Sequence, residues 1–546
     1  MEPTEAQREI IDYTGNAVVS ASPGSGKTFV LAQKIKNILV SDEIREYEGV
    51  IAISFTRKAA TNLKKRVLGS GFKSKNSTFA TISNFCLNQI VLPFAKYIWG
   101  FPNKAVEVVE LEELTNKDQS LFNWISTHPD YKTLSDQKFK NLAALYVKGY
   151  VLVETIEVMA LHILKNCKAC QNYLKARYKY ILIDEFQDAD TYINELFLNL
   201  VSMGMIGTVV GDERQAIFGF ANKSNHYLKA LKVRHDFKSF MLNDNFRCSQ
   251  PIINYSNRLL DPNFQSIGTD KEGMYLVRVD GSEINIAEYI DLELASIKDK
   301  WGIVDDCECA ILVKNDRTQK VIDAYLKHPH RVVRTTPLDL DINFSSRIYS
   351  ELLKYKFDYS ISLLHIIDQY IEYEDLSHKD KETLWRIGRN IRSQRIDTED
   401  ECLHLIECFN QFIKIILPKE TILSKSTTLL MNVLNDADSI EAYYPLTKEE
   451  LPIMTLHKSK GLEFDVVFHL NMNEWELPYV DYVSRQRTNL EQDMYLHYVG
   501  ITRARKACYM IRNTSRLTNK GSLIPASDSY FLGINDLNKL RIDLNG

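Results

Sequence analysis

The sequence predicts an α/β fold built from two parallel-sheet domains with mainly helical insertions. Three observations carry that expectation. The stretch "NAVVSASPGSGKTFVLAQKIKNIL" passes from an apolar strand through a glycine-rich loop into a helix. The stretch "YKYILIDEFQDAD" reads as a buried parallel strand ending in adjacent carboxylates. Strand–helix alternation then recurs in the second half of the chain.

In the first stretch, Ala17 to Val19 form the apolar run. Gly24, Ser25, Gly26, Lys27 and Thr28 turn the chain, and Val30, Leu31, Ile35, Ile38 and Leu39 continue at helical spacing. This is the layout of a phosphate-binding loop that starts at Ser22. Its glycines let backbone N–H groups converge on phosphate oxygens at a helix N-terminus. Lys27 reaches the β- and γ-phosphates of a nucleotide, and Thr28 holds Mg²⁺. The strict spacing places glycine where Ala21 stands. In the second stretch, Tyr180 to Ile183 form the strand. Asp184 can then bind Mg²⁺ through water, and Glu185 can orient and deprotonate the attacking water. The competing reading is an acidic helix N-terminus, because Asp188 and Asp190 fall in the same first turn. A third stretch, "VVGDERQAIFGFANKS", runs from a strand end into Asp212, Gln215, Phe218 and Phe220. Such a loop is a core corner, a nucleotide sensor or a surface for bases.

At 546 residues the chain divides into two to four domains. No apolar run approaches the length of a bilayer span, and Glu2, Glu5, Glu9 and Asp12 interrupt any signal-peptide core, so a cytoplasmic location is expected. Nine cysteines lie scattered, and the one CxxC, Cys167 and Cys170, has no second pair in register. Buried free thiols are therefore expected over a zinc site. The net charge of −4 does not advertise nucleic acid, yet from Gly49 to Val106 there is no Asp or Glu. Arg57, Lys58, Lys64, Lys65, Arg66, Lys73, Lys75, Lys96 and Lys104 all fall inside that stretch. A one-signed run of this length sets up a local positive field that suits phosphates.

An ordered set of segments then resembles superfamily 1 DNA helicases of the UvrD/Rep type. "PTEAQREI" is similar to the family's glutamine motif, "SFTRKAATNLKKRV" to motif Ia and "TFATISNFC" to motif Ib. "DEFQDAD" and "VVGDERQAIFGF" stand in the places of motifs II and III. "LNDNFRCS" looks like motif IV, "IMTLHKSKGLEFDVVF" motif V and "YVGITRARK" motif VI. The resemblance implies two RecA-like domains with ATP and Mg²⁺ between them. It implies that Gln7 reads adenine, Phe246 stacks on it, Glu463 touches the ribose and Gln215 senses the γ-phosphate. Arg247 and Arg503 are implied to reach the nucleotide held by Lys27. "ITRARK" is expected to put Arg503, Arg505 and Lys506 on one short helix turn, with Arg505 and Lys506 at a solvated helix end. Phe55, Thr56, Arg57, Lys58, Phe220, Thr455 and His457 are implied to contact DNA. The implied layout is domain 1A at 1–91 and 178–243, insertion 1B at 92–177, domain 2A at 244–358 and 445–546, and insertion 2B at 359–444.

The expected activity is ATP-dependent 3′→5′ movement on single-stranded DNA, or on a duplex with a 3′ single-stranded end. The sequence departs from the family at Arg57, Ser83, Phe218 and Ala221, the last standing where an arginine is usual. A second expectation follows from those departures and the compact insertions. It is a regulatory, DNA-sensing ATPase subunit of an antiphage complex such as Gabija, with a nuclease partner and little unwinding of its own.

Overall fold

Short runs of Val, Ile and Ala, apolar on both faces, form the strands that position the loops described above. The computed structural model describes residues 2–41, 44–69, 74–215, 217, 225–371, 373–418, 421–481, 484–487, 489–518 and 521–545. The first sheet holds β1 (Ala17–Ala21), β2 (Gly49–Ile53), β3 (Thr78–Ala80), β4 (Tyr178–Ile183), β5 (Ile206–Gly211) and β6 (Lys238–Leu242). Its order is β3-β2-β4-β5-β1-β6, and neighbouring strands are parallel.

Side chains alternate between the two faces of these strands. Val19, Val50, Ala52, Leu182 and Val210 pack against the helices Glu5–Asp12, Lys27–Val40 and Arg57–Leu68. Val18, Ile51, Ile53, Ile181 and Ile183 face the other way, into one core with Phe85, Ile90, Leu145 and Leu161. The segment expected as insertion 1B thus shares its core with the sheet. It is mainly helical, with one short parallel pair, Glu107–Val109 and Tyr150–Leu152.

The second sheet holds β7 (Met274–Val279), β8 (Cys309–Val313), β9 (His330–Val332), β10 (Leu451–Thr455), β11 (Phe464–His469), β12 (Ala504–Asn513) and β13 (Ile542–Asn545). Its order is β9-β10-β8-β11-β12-β7-β13, again parallel throughout. Two parallel α/β sheets match the RecA-like pair that the sequence predicts. A separate helical unit lies between β9 and β10 in the chain. Its helices Phe344–Phe357, His378–Ser393, Glu399–Ile416 and Ser424–Leu434 bury one cluster that begins at Leu338 and ends at Tyr443. Leu338, Ile348, Leu352 and Leu353 therefore pack with residues 359–444, not with the second sheet.

One expected element is corrected. "ITRARK" is not a helix turn: the helix Leu490–Ile501 ends at Thr502 and β12 starts at Ala504. The cause is the run "ACYMI", buried on both faces as a central strand between β11 and β7. Nor are Arg505 and Lys506 a solvated helix end. Arg505 Nε lies 2.6 Å from Asp465 and its guanidinium also meets Glu308, while Lys506 lies 2.9 Å from Asp465.

Candidate nucleotide cleft and nucleic-acid face

The phosphate-binding loop is fixed from both ends. Ser22 N–H donates to Leu242 O at 2.9 Å, and Ser25 N–H donates back to Ser22 O at 3.3 Å. Gly24 (φ 70°) and Gly26 (φ 83°) take left-handed conformations that favour glycine. A Cβ at Gly24 would also sit 2.5 Å from Asn245 Oδ1 and 2.6 Å from Arg247 Cβ. The loop therefore packs directly on the segment that carries Phe246 and Arg247, and Phe246 N–H donates to Gly24 O at 3.0 Å.

Gln7, Gly24, Ser25, Gly26, Lys27, Thr28, Glu185, Gln215, Phe246, Arg247, Glu463 and Arg503 all line one cleft between the two sheets. Its volume of about 510 Å³ falls in the range of roughly 300–1,000 Å³ usual for small-molecule sites. Ser22 lies at the base of the loop, and Asp184 lies behind the cleft wall, its Oδ1 accepting from Glu185 N–H at 2.9 Å. Gln7 is held by a capping box: its Oε1 accepts from Thr4 N–H at 3.1 Å, and its Nε2 donates to Ser25 O at 3.1 Å.

The charges in the cleft suit a polyphosphate. Lys27 Nζ lies 4.0 Å from Glu185 Oε1. Burial works against charge on Glu185, but Lys27 and Lys460 outweigh it and keep its carboxyl low. Burial and the neighbouring Glu185 push the Asp184 carboxyl up. Arg503 is buried, and its guanidinium donates to Val499 O at 3.1 Å and Leu462 O at 3.0 Å. Burial and the charge of Arg247 lower it to about 10. Arg247 Nε sits 2.6 Å from Glu463 Oε2. Four arginines, Arg66, Arg247, Arg503 and Arg505, and Lys27 thus face one cleft, and the buried Ser25 hydroxyl finds no partner among the described residues. Such a set fits a bound phosphate chain. Asp184 and the Thr28 hydroxyl are the hard oxygen donors that Mg²⁺ takes, one or two per ion beside substrate oxygens.

The motif V loop adds a further side chain, Lys460. Lys460 donates to Gln215 O at 2.8 Å, meets Asp188 in an ion pair and lies 3.8 Å from Glu185, joining the motif V loop to the first sheet. Its signal was a lysine just before "GLEF". Arg66, from the acid-free stretch, also lines the cleft.

Among the described residues, those expected at DNA do not line this cleft. Phe55 is partly buried against the first core, and the Thr56 hydroxyl caps the helix Arg57–Leu68 by accepting from Ala59 N–H. Arg57 reaches the helical unit, its Nη2 donating to Asp341 O at 2.5 Å. Thr455 ends β10. Burial, with Lys314 and Lys460 nearby, lowers His457 to about 4. Phe218, Phe220, Ala221 and the Lys58 side chain lie outside the described residues.

Comparison with known proteins agrees with this geometry. Residues 4–221 match the AAA domain family, and residues 347–515 match the UvrD-like helicase C-terminal domain. Gabija protein GajB of Bacillus cereus (strain VD045) is 25% identical over 94% of this chain and 96% of its own length. The ATP-dependent DNA helicase Rep of Buchnera aphidicola subsp. Schizaphis graminum is 24% identical over 95% of this chain and 94% of its own. The ATP-dependent DNA helicase PcrA of Staphylococcus epidermidis is 22% identical over 94% and 83%. With two parallel sheets, a phosphate-binding loop between them and relatives that align along nearly the whole chain, the protein belongs to the UvrD/Rep-type superfamily 1 helicases.

Proposed function

We propose that this chain hydrolyses ATP with Mg²⁺ to move 3′→5′ along single-stranded DNA. The observation that carries the reading is the convergence of Lys27 and Glu185 from the first sheet with Arg247, Glu463 and Arg503 from the other side of one cleft. In this reading Lys27 holds the γ-phosphate, and Glu185 orients the attacking water and takes its proton. Arg247 and Arg503 stabilise the charge on the transferred group, an effect worth roughly 10³-fold or more for a fixed arginine. Mg²⁺, held by Asp184 and Thr28, supplies charge neutralisation at the phosphate oxygens. Gln7 and Phe246 hold the adenine, and Gln215 reports the γ-phosphate through its loop. Phe220, which follows Gln215 in that loop, stacks a base. Stacking is tolerant of sequence and suits a motor. Phe55, Thr56, Arg57, Lys58, Thr455 and His457 complete the strand path. The four-part division is kept, with the 2B boundary drawn at 337, where Leu338 enters the helical core.

The test is ATP-driven displacement of streptavidin from biotinylated oligonucleotides. A 3′→5′ motor clears the 5′-biotin and leaves the 3′-biotin in place. The opposite pattern would reject the polarity.

A second reading is favoured by the near full-length match to Gabija protein GajB. In it the chain is a DNA-sensing ATPase subunit of an antiphage complex with a nuclease partner, located in the cytoplasm. Strand separation on a 3′-tailed duplex, with and without a co-expressed operon neighbour, distinguishes the two. Robust unwinding by the chain alone excludes the regulatory-only form.

A further inference from the structure

Away from the nucleotide cleft, side chains from two distant parts of the chain meet at a small cavity. Arg57 and Lys64 reach it from the helix Arg57–Leu68, Thr81 from the end of β3, and Arg347, Glu351 and Gln369 from the helical unit. The cavity holds about 60 Å³, several times the roughly 10–15 Å³ that one water needs by the same measure. We propose that this junction is a phosphate site, in which Arg57 and Lys64 on one side and Arg347 and Gln369 on the other close on one phosphate group.

Charge is the first argument. Three cations, Arg57, Lys64 and Arg347, face a single carboxylate, Glu351, which leaves the lining with two positive charges in excess. Their placement is the second. Burial, and then the charge of Arg347, lower the Arg57 guanidinium to about 10 against the opposing pull of Asp339 and Asp341, so like charges are held together at a half-buried junction. An oxyanion between them relieves that repulsion. The third argument is the Gln369 amide, whose Nε2 is buried and donates to nothing among the described residues. A buried donor left unpaired costs roughly 1–3 kcal/mol, and a phosphate oxygen supplies its acceptor. Arginine offers five N–H donors in a planar fork that matches phosphate. One Arg57 nitrogen is spent on Asp341 O.

The shared chemistry is a phosphate group, whether a backbone phosphodiester of single-stranded DNA or a free phosphate. The first source rests on the single-strand reading above and extends the strand path onto the helical unit.

Full-length protein saturated with a non-hydrolysable ATP analogue, so that the nucleotide cleft is filled, separates the sources. It is titrated with fluorescent oligo-dT and, by calorimetry, with inorganic phosphate. For a backbone phosphate, Arg347→Ala weakens oligo-dT binding about tenfold, as expected for a charge-assisted contact. It also lowers the slope of log K against log salt by about 0.7, the value for one single-strand phosphate, and Arg347→Lys restores most of both. For a free phosphate, the wild type gives a binding heat that Arg347→Ala abolishes while oligo-dT binding is unchanged. Either result supports the site and names its source. Unchanged affinity and slope in Arg347→Ala, with no phosphate heat in the wild type, overturn it and leave the single-strand reading standing. A wild type that binds no oligo-dT overturns the single-strand reading instead, and the phosphate titration alone then decides the cavity. Should Arg347→Ala fail to fold, Gln369→Leu removes the orphan donor at similar size and decides on the same readouts, with a smaller expected loss of about threefold.

Discussion

Glu185 concentrates the chemistry of the cleft in one residue. Its φ of 56° is left-handed, a conformation that costs a non-glycine residue about 1–3 kcal/mol. That turn at the end of β4 presents its carboxylate to Lys27 and Lys460. Glu185→Gln keeps the size and removes the proton acceptor. The ATPase kcat should fall about 10²- to 10⁴-fold, the usual contribution of general acid–base catalysis, while a fluorescent ATP analogue still binds. Retained turnover would reject Glu185 as the base. Lys460 makes a different prediction. With Asp188 it forms an ion pair whose side chains are 11% and 1% exposed. Removing one partner of such a pair costs about 3–5 kcal/mol, because a charge is left buried. Lys460→Ala should therefore lower the urea midpoint sharply, and Lys460→Arg much less. Equal midpoints for the two variants would show that the bridge contributes nothing.

At the scale of elements, the strands and the phosphate-binding loop were legible in the sequence because their signals are local. β1, the glycines and the helix Lys27–Val40 follow from period and composition within one short stretch. The end of the motif VI helix was not legible. Arginine and lysine after "YVGIT" fit a helix, and only burial between β11 and β7 makes Ala504–Asn513 a strand. The contacts of Lys460 and Arg57 with Gln215 and Asp341 are not legible for another reason, since these partners lie hundreds of residues away. No local pattern carries such a pairing. The same region holds a pair that sequence reading left unremarked. His469 Nδ1 meets Leu470 O at 3.1 Å and its Nε2 meets His497 Nδ1 at 2.9 Å, both rings fully buried. A neutral pair satisfies both contacts, with His469 Nδ1–H donating to the carbonyl and His497 Nδ1–H donating to His469 Nε2. Burial lowers His469 to about 4, and burial with His469 and Arg541 nearby lowers His497. A folded value below the unfolded one of about 6.5 means that the unfolded chain binds the proton first. The stability is complete above that pH and is lost as the pH falls toward 4. Between pH 6.5 and 5, His469 alone accounts for about 2 kcal/mol. Urea midpoints at pH 7 and pH 5 measure it, and His469→Gln should reduce the difference. A midpoint that does not move with pH would exclude a neutral buried pair.

At the scale of the molecule, one short chain of contacts joins three parts: the insertion, the helical unit and the motif Ia helix. Asn343 treats Val108 as a strand partner. Its Oδ1 accepts from Val108 N–H at 3.2 Å and its Nδ2 donates to Val108 O at 3.1 Å, both buried. Asn343 Nδ2 also donates to Asp341 Oδ1 at 2.8 Å, and the Asp341 carbonyl receives Arg57. Two outer contacts, Lys64 to Asp368 O and Lys425 to Glu113, lie on the same junction but are exposed. Exposed pairs of this kind contribute at most about 1 kcal/mol, so the buried Asn343 pairing dominates the docking. Asn343→Ala leaves a buried N–H and a buried C=O without partners, at about 1–3 kcal/mol each. Amides near Val108 and along the helix Phe344–Phe357 should then exchange faster, while those of β1 and the phosphate-binding loop keep their protection. Oligo-dT affinity should fall with the loosening, since Arg57 and Arg347 face each other only while the unit is docked. Unaltered exchange in Asn343→Ala would mean that the unit is held elsewhere. Faster exchange with unaltered affinity would mean that the strand does not cross this junction.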